Sequence, residues 1–142
     1  MPGRILVVDD VATNRIILKA KLTKAYYEVL QASGGAEALR VAQKERPDLV
    51  LMDMSMPDID GLEVCRRLKS DSRTADIPVV IITANRDIPA KLAALEAGAA
   101  EFLSKPYDEL GLLARVRSLL RARSIAAELA LREGTQEALG FA

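Results

Sequence analysis

The sequence has no histidine and only one cysteine, Cys65, in 142 residues. Without histidine, neither a Ser-His-Asp set nor a Cys-His pair can be assembled within the chain. A zinc site is argued against for the same reason. A lone thiol forms no intrachain disulfide. Its place in a helical pattern reads as a small buried hydrophobe, which suits a reducing cytoplasm. Aromatic residues are scarce at 4%, while half of the chain is apolar, so the core must be aliphatic. Neither sign of charge is in excess, with 20 basic and 20 acidic residues. A neutral chain has no overall pull toward nucleic acid or anionic lipid; the local exception is a basic cluster from Arg115 to Arg123. No apolar run reaches a membrane-spanning length, and the N-terminus has no secretory leader pattern.

What is present is an alternation of short aliphatic runs with longer helical patterns. The length fits one domain plus a tail and allows a sizeable core. Ile5 to Val8 reads as a buried strand, followed by a helix over 13–24 with Thr13 as N-cap and Ile16, Ile17, Ala20 and Leu22 at helical spacing. Glu28 to Gln31 is a weaker strand, and Gly34-Gly35 opens a helix that ends before Pro47. Leu49 to Met52 is a third strand running into Asp53, and Pro57 to Gly61 is turn chemistry ahead of a helix carrying Val64, Cys65 and Leu68. Ile77 to Ile82 is a fourth strand, 87–97 a helix closed by Gly98, and Glu101 to Ser104 a fifth strand leading to Lys105-Pro106. A last helix starts near Asp108. Such alternation predicts an α/β fold, a parallel sheet covered on both faces with right-handed crossovers.

In open sheets of this kind, ligands sit at the carboxyl ends of the strands. The chemistry-bearing residues fall there: Asp9-Asp10 after the first strand, Asp53 after the third, Thr83 after the fourth and Lys105 after the fifth. Carboxylates gathered together repel and resist ionisation. A hard divalent cation relieves this, and Mg²⁺ favours a few carboxylates, water and phosphate oxygens. Phosphoryl transfer asks for little beyond positioning and charge stabilisation. Asp53 can then accept a phosphoryl group, with Lys105 and the Thr83 hydroxyl meeting its oxygens. Taken singly, each residue has a plainer role. One acid after a strand caps a turn or helix, Thr83 is a β-branched strand end and Lys105 a loop lysine. Asp58 and Asp60 fit the turn and a helix N-terminus better than a metal site.

The runs Ile5-Leu6-Val7-Val8-Asp9-Asp10, Leu51-Met52-Asp53-Met54-Ser55-Met56-Pro57 with Asp60-Gly61, Pro78 to Ala84, Gly98-Ala99 and Phe102-Leu103-Ser104-Lys105-Pro106 occur in this order. Together they resemble the receiver domains of bacterial two-component response regulators, over residues 4 to about 123. The resemblance implies a flavodoxin-like, CheY-like sheet of order 2-1-3-4-5. It implies phosphorylation of Asp53 by a partner histidine kinase or phosphotransfer protein; the phosphohistidine must lie outside this histidine-free chain. It also implies direct Mg²⁺ ligation by Asp10 and Asp53, largely water-mediated contact from Asp9, and a further ligand in the Ser55 backbone carbonyl. Thr83 and Lys105 would contact the phosphoryl group, with Thr83 and the Phe102 ring as the switch pair. A protein of this kind catalyses its own phosphorylation and dephosphorylation without being a turnover enzyme, and works in the cytoplasm.

Lys21-Leu22-Thr23, Tyr26-Tyr27-Glu28-Val29 and Ala114 to Leu119 further resemble the first receiver of PleD-type diguanylate cyclases. The Gly-Gly-Asp/Glu-Glu-Phe cyclase signature is missing, so cyclase activity does not reside in these residues. In that context Tyr26 or Tyr27 is a possible dimer contact, one being core and the other a surface anchor, because neighbours on a strand face opposite ways. The expected division is a receiver over 1–123 and a helical extension or linker to an output domain over 124–142. Leu112, Leu119, Ala122, Ala126 and Leu129 fall near seven-residue spacing, a weak coiled-coil seam suggesting a phosphorylation-dependent homodimer. The rival readings are an input domain from a longer cyclase and a haloacid-dehalogenase-type phosphatase. The latter usually carries an acid two residues after its nucleophile, where this chain has Ser55.

Overall fold

The computed structural model describes residues 3–84 and 87–138; the termini of the two expected segments, 1–2 and 139–142, lie outside the described residues. Five strands and five helices alternate: β1 (Arg4–Val8), α1 (Ala12–Lys24), β2 (Glu28–Ala32), α2 (Gly35–Glu45), β3 (Leu49–Asp53), α3 (Gly61–Ser70), β4 (Val79–Thr83), α4 (Ile88–Glu96), β5 (Glu101–Ser104) and α5 (Glu109–Ala138). The strands pair in parallel in the order β2-β1-β3-β4-β5, the arrangement expected from the alternation and the resemblance.

The central strands are apolar on both faces, and their period of two divides the core. Leu6, Val8, Val50, Met52, Val79 and Ile81 meet Ala38 and Ala42 of α2, Val64, Cys65 and Leu68 of α3 and Ala94 of α4. Ile5, Val7, Leu49, Leu51, Val80 and Ile82 meet Leu18 and Leu22 of α1 and Leu112 and Val116 of α5. Cys65 is fully buried and donates to the Ala97 carbonyl at 3.4 Å. Burial pushes its thiol pKa up, so the plain reading as a buried hydrophobe holds.

Local chemistry sets the helix ends. Asp60 accepts from the Glu63 amide at 2.9 Å and caps α3. Asp58 caps a different helix from the one that follows it: its two oxygens accept from the Gly35 and Ala36 amides of α2, each at 3.0 Å. Those amide donors hold the Asp58 carboxyl at about 2. Gly98 closes α4 at φ 99°, a left-handed conformation that favours glycine.

Four sequence expectations are corrected. Thr13 does not cap α1; the cap position is Val11, with no side-chain capping bond. Asp9 organises that turn instead, its Oδ1 accepting from the Val11 amide at 2.9 Å. Ile16 and Ile17 are not core residues, being 62% and 47% exposed, because the sheet-facing stripe of α1 is Leu18 and Leu22. Tyr26 and Tyr27 precede β2, in the turn where their amides donate to Thr23 and Leu22 carbonyls. Tyr27 packs against the α1/α5 core, while Tyr26 is 84% exposed with a left-handed φ of 71°, so the expected split into one core and one surface tyrosine is met. Finally, Leu112 and Leu119 are not seam residues, since both pack on the sheet-facing core. Their spacing is the inward stripe of α5, which the helix carries on past the sheet.

Where α5 leaves the sheet it is fastened. Arg123 donates to Asp48 Oδ1 at 2.8 Å and pairs with Asp76 at 3.4 Å. Asp48 Oδ2 accepts from the Arg4 amide at 2.9 Å. Arg115, higher on α5, pairs with Glu101 of β5 at 2.8 Å. Two arginines of the basic cluster are therefore engaged in ion pairs. Beyond this point Ile125, Leu129 and Leu131 are each about half exposed or more.

Candidate functional site

The carboxyl ends of the strands converge as the topology requires, because β1, β3, β4 and β5 are parallel neighbours with β1 next to β3. Asp9, Asp10 and Asp53 each bring a carboxylate oxygen within 4.8 Å of the others. Their surroundings differ: Asp9 is buried, Asp53 half-buried and Asp10 exposed. Thr83 ends β4, 5% exposed. Its carbonyl accepts from the Lys105 amide at 2.8 Å, so the backbone of Lys105 is tied to the end of β4. Met54 continues the β3–β4 pairing by donating to Ile82 at 3.0 Å, and Gly61 closes the following loop by donating to Met54 at 2.8 Å. A Cβ at Gly61 would stand 2.5 Å from the Asp53 carbonyl oxygen. No other residue type allows this approach of α3 to the strand end. Asp9 is held by three contacts: its amide donates to Ala32 at 3.2 Å, its carbonyl accepts from Arg15 at 2.6 Å and its carboxylate caps the turn into α1.

The electrostatics single out Asp53. Its carboxyl is raised above the ordinary range, first by burial, against the opposing pull of Lys105. The nearby charges of Asp9 and Asp10 add to the rise, and the Ser55 amide counters it. An anion held among like charges is what a cation or an electrophile relieves. Three hard oxygen donors from two strand tips, one buried and one open to water, fit a small divalent ion such as Mg²⁺ and match no soft-metal set.

A cleft of about 280 Å³ opens beside Asp9 and Asp53. Its floor is Val8, Leu51 and Ile82; one wall is Asn14, Ile17, Leu18 and Lys21 of α1; the other is Lys105, Pro106 and Tyr107. Of these wall residues the sequence singled out Lys105 for the site but gave no site role to Asn14, Ile17, Leu18, Lys21 or Tyr107, although the 14-17-18-21 spacing marks one helix face and Tyr107 follows the Lys105-Pro106 pair. All of the acids, Lys105 and Thr83 fall at the carboxyl edge. Phe102 packs partly buried against the α2/α3/α4 core, its strand position paired with Ile81. Tyr26 lies at the opposite edge of the fold, in the turn that enters the amino end of β2.

This sheet order gathers three carboxylates and a lysine at the edge where open parallel sheets bind their ligands. The sequence matches the response regulator receiver domain over residues 5–117, so the chain belongs to that family. It is 48% identical over 140 residues to the response regulator PleD of Caulobacter vibrioides, covering 99% of this chain and 31% of that protein. It is 42% identical over 118 residues to the DNA-binding dual master transcriptional regulator RpaA of a Synechocystis strain, covering 83% of this chain and 49% of that one. The chain thus spans about a third to half of the curated relatives it matches. Among solved structures, the chemotaxis protein CheY4 of Vibrio cholerae superposes with a TM-score of 0.79 at 30% identity, over 84% of this chain and 99% of that one. The BeF3-activated N-terminal receiver of Klebsiella pneumoniae RstA gives 0.77 at 32% identity, over 83% and 98%. Receiver domains of response regulators take phosphoryl groups from histidine kinases and are generally not enzymes in their own right. Among the described residues no helix is long and apolar enough to cross a membrane.

Proposed function

We propose that Asp53 is the phosphoacceptor of a response-regulator receiver that is charged by a partner histidine kinase or phosphotransfer protein. The observation that carries this reading is the raised, half-buried Asp53 carboxyl facing Lys105 across a cluster of like charge. Asp9, Asp10 and Asp53, with the Ser55 backbone carbonyl, would hold Mg²⁺. When bound, that ion supplies positive charge to the acceptor and to the phosphoryl oxygens. Lys105 meets one phosphoryl oxygen and Thr83 donates to another. The phosphoryl group adds roughly one and a half to two negative charges at the end of β3, beside the ends of β4 and β5, drawing Thr83 and Lys105 inward. Phe102, on β5 two positions before the partner of Thr83, follows that movement and alters the α4–β5–α5 face. A partner that prefers this arrangement shifts the population toward it.

The division is a receiver over 1–123 followed by an extension or linker to an output over 124–142, of which the described part continues α5 to Ala138. Tyr26, an exposed ring on a left-handed residue, is the dimer contact in this reading rather than Tyr27. Its setting is the cytoplasm, where the single thiol stays reduced. The identity to PleD along 99% of this chain and only 31% of that protein favours a second reading, an input domain of a longer PleD-like protein. The length of the natural open reading frame separates the two.

The test is incubation with acetyl phosphate and Mg²⁺ followed by intact-mass measurement. One phosphoryl adduct is expected on the wild type, none on Asp53→Asn, and none in excess EDTA. Full labelling of Asp53→Asn overturns the acceptor, and undiminished labelling in EDTA overturns the metal.

A further inference from the structure

The cleft beside Asp53 is larger than a metal ion and a phosphoryl group require, and its two walls meet. The α1 wall is one helix face, Asn14, Ile17, Leu18 and Lys21. Of these only Leu18 is buried on the sheet, leaving Ile17 as an apolar side facing the opening. The opposite wall is Pro106 and Tyr107. The Lys21 ammonium lies over the Tyr107 ring, 5.7 Å from its centroid, within reach of a cation–π attraction. The ring is half-buried, and its hydroxyl is pushed up by burial and then by the charge of Asp9. Tyr107 thus meets Lys21, feels the charge of Asp9 and lines the same cleft as the reacting carboxylate. The contact bridges elements that are otherwise far apart in the chain.

We propose that Lys21 and Tyr107 form a specificity-determining pair that restricts, by size, which small phosphodonors react at Asp53. The inference rests on the phosphoacceptor reading above and adds a substrate limit to it. In the reaction the bond from phosphorus to the donor's leaving group breaks, with both electrons departing on a carboxylate. A new bond forms from phosphorus to an Asp53 oxygen, and no oxidant or further reactant is needed. The leaving group must fit beside Tyr107, so a small acyl group passes and a bulky one is hindered. Lys21 acts as a positioning residue, holding the ring in place.

The experiment compares phosphorylation rates with acetyl phosphate and with benzoyl phosphate, both with Mg²⁺, by intact-mass time courses on the full chain. The wild type is expected to favour acetyl phosphate. Tyr107→Ala is expected to raise the benzoyl-to-acetyl rate ratio by about tenfold, the scale of one bulky group fitting or clashing in a pocket. Lys21→Ala is expected to raise it by about threefold, the scale of one exposed cation–π contact. Lys21→Arg, which keeps a cation over the ring, restores the wild-type ratio. Lys21→Ala adds nothing further in a Tyr107→Ala background. A ratio unchanged in Tyr107→Ala overturns the size limit. Additive effects in the double variant overturn the pairing. Failure of the wild type to label with either donor refutes the acceptor reading itself, a result distinct from an unchanged ratio.

Discussion

Two aspartates bracket the same strand and live in opposite electrostatic worlds. Asp48, just before β3, has both oxygens engaged, one by the Arg4 amide and one by the Arg123 guanidinium. Asp53, at the other end of β3, faces Asp9 and Asp10, and its carboxyl is raised by burial. The amino edge of the sheet is thus a satisfied network that ties β1, β3 and α5 together. The carboxyl edge keeps its charges in conflict. Ion pairs and backbone bonds gather at the amino edge, and like charges gather around Asp53 at the carboxyl edge, where a perturbed carboxyl suits a reacting group.

The largest effect that tests this contrast is catalytic. Lys105→Ala is expected to slow labelling by acetyl phosphate about a hundredfold, the typical loss for removing one charge-stabilising group. Arg123→Ala, at the satisfied edge, should change that rate by less than about threefold, since surface ion-pair energies are small. Equal losses in both variants would erase the distinction between the two edges.

The next effect is on stability. Asp48→Ala removes an acceptor for one backbone amide and one guanidinium. It is expected to cost about 1–2 kcal/mol in urea unfolding, the range for a partly exposed pair of such bonds. The loss should be accompanied by faster amide exchange at the Arg4 amide. No change in the urea midpoint would show that this network does not hold the edge.

The smallest effect is the pH dependence, and its sign differs between the two acids. Asp53 has its folded pKa raised by burial, so it opposes folding above that pKa, and this penalty disappears as pH falls through it. Asp53→Asn should therefore melt higher than wild type at neutral pH without metal, with the difference shrinking on mild acidification. Asp58, lowered from 3.8 to about 2 by the amides of α2, contributes stability above the unfolded value that is lost as pH falls through that window. Asp58→Asn should melt lower at neutral pH and converge with wild type in acid. Thermal melts from neutral pH to about pH 2 measure both; parallel curves for either variant would contradict its assigned sign.

Much of this was legible before folding. Strand runs such as Leu49 to Met52 are apolar without interruption, which only a sheet covered on both faces accommodates. The acids and Lys105 could be assigned to one edge because a parallel sheet puts all of its strand ends of one polarity together. Asp58 and Asp60 read correctly as turn and cap residues, yet the helix that Asp58 caps was not readable. Its partners, Gly35 and Ala36, are more than twenty positions away. Ile16 and Ile17 misled because several apolar residues in α1 compete for the inward stripe, and the helix rotation on the sheet decides among them. Leu112 and Leu119 misled for a related reason: a sheet-facing stripe and a coiled-coil seam share nearly the same spacing.

The amino-acid order alone determined the alternation of elements, the aliphatic core and the residue types available for phosphoryl chemistry, because these depend on periodicity and composition. The approach of α3 at Gly61, the raised carboxyl of Asp53, the clasp of Arg123 on Asp48 and the meeting of Lys21 with Tyr107 were decided by tertiary structure. Each depends on distances between segments far apart in the chain, and burial, Coulomb interaction and steric exclusion come into force only when folding sets those distances.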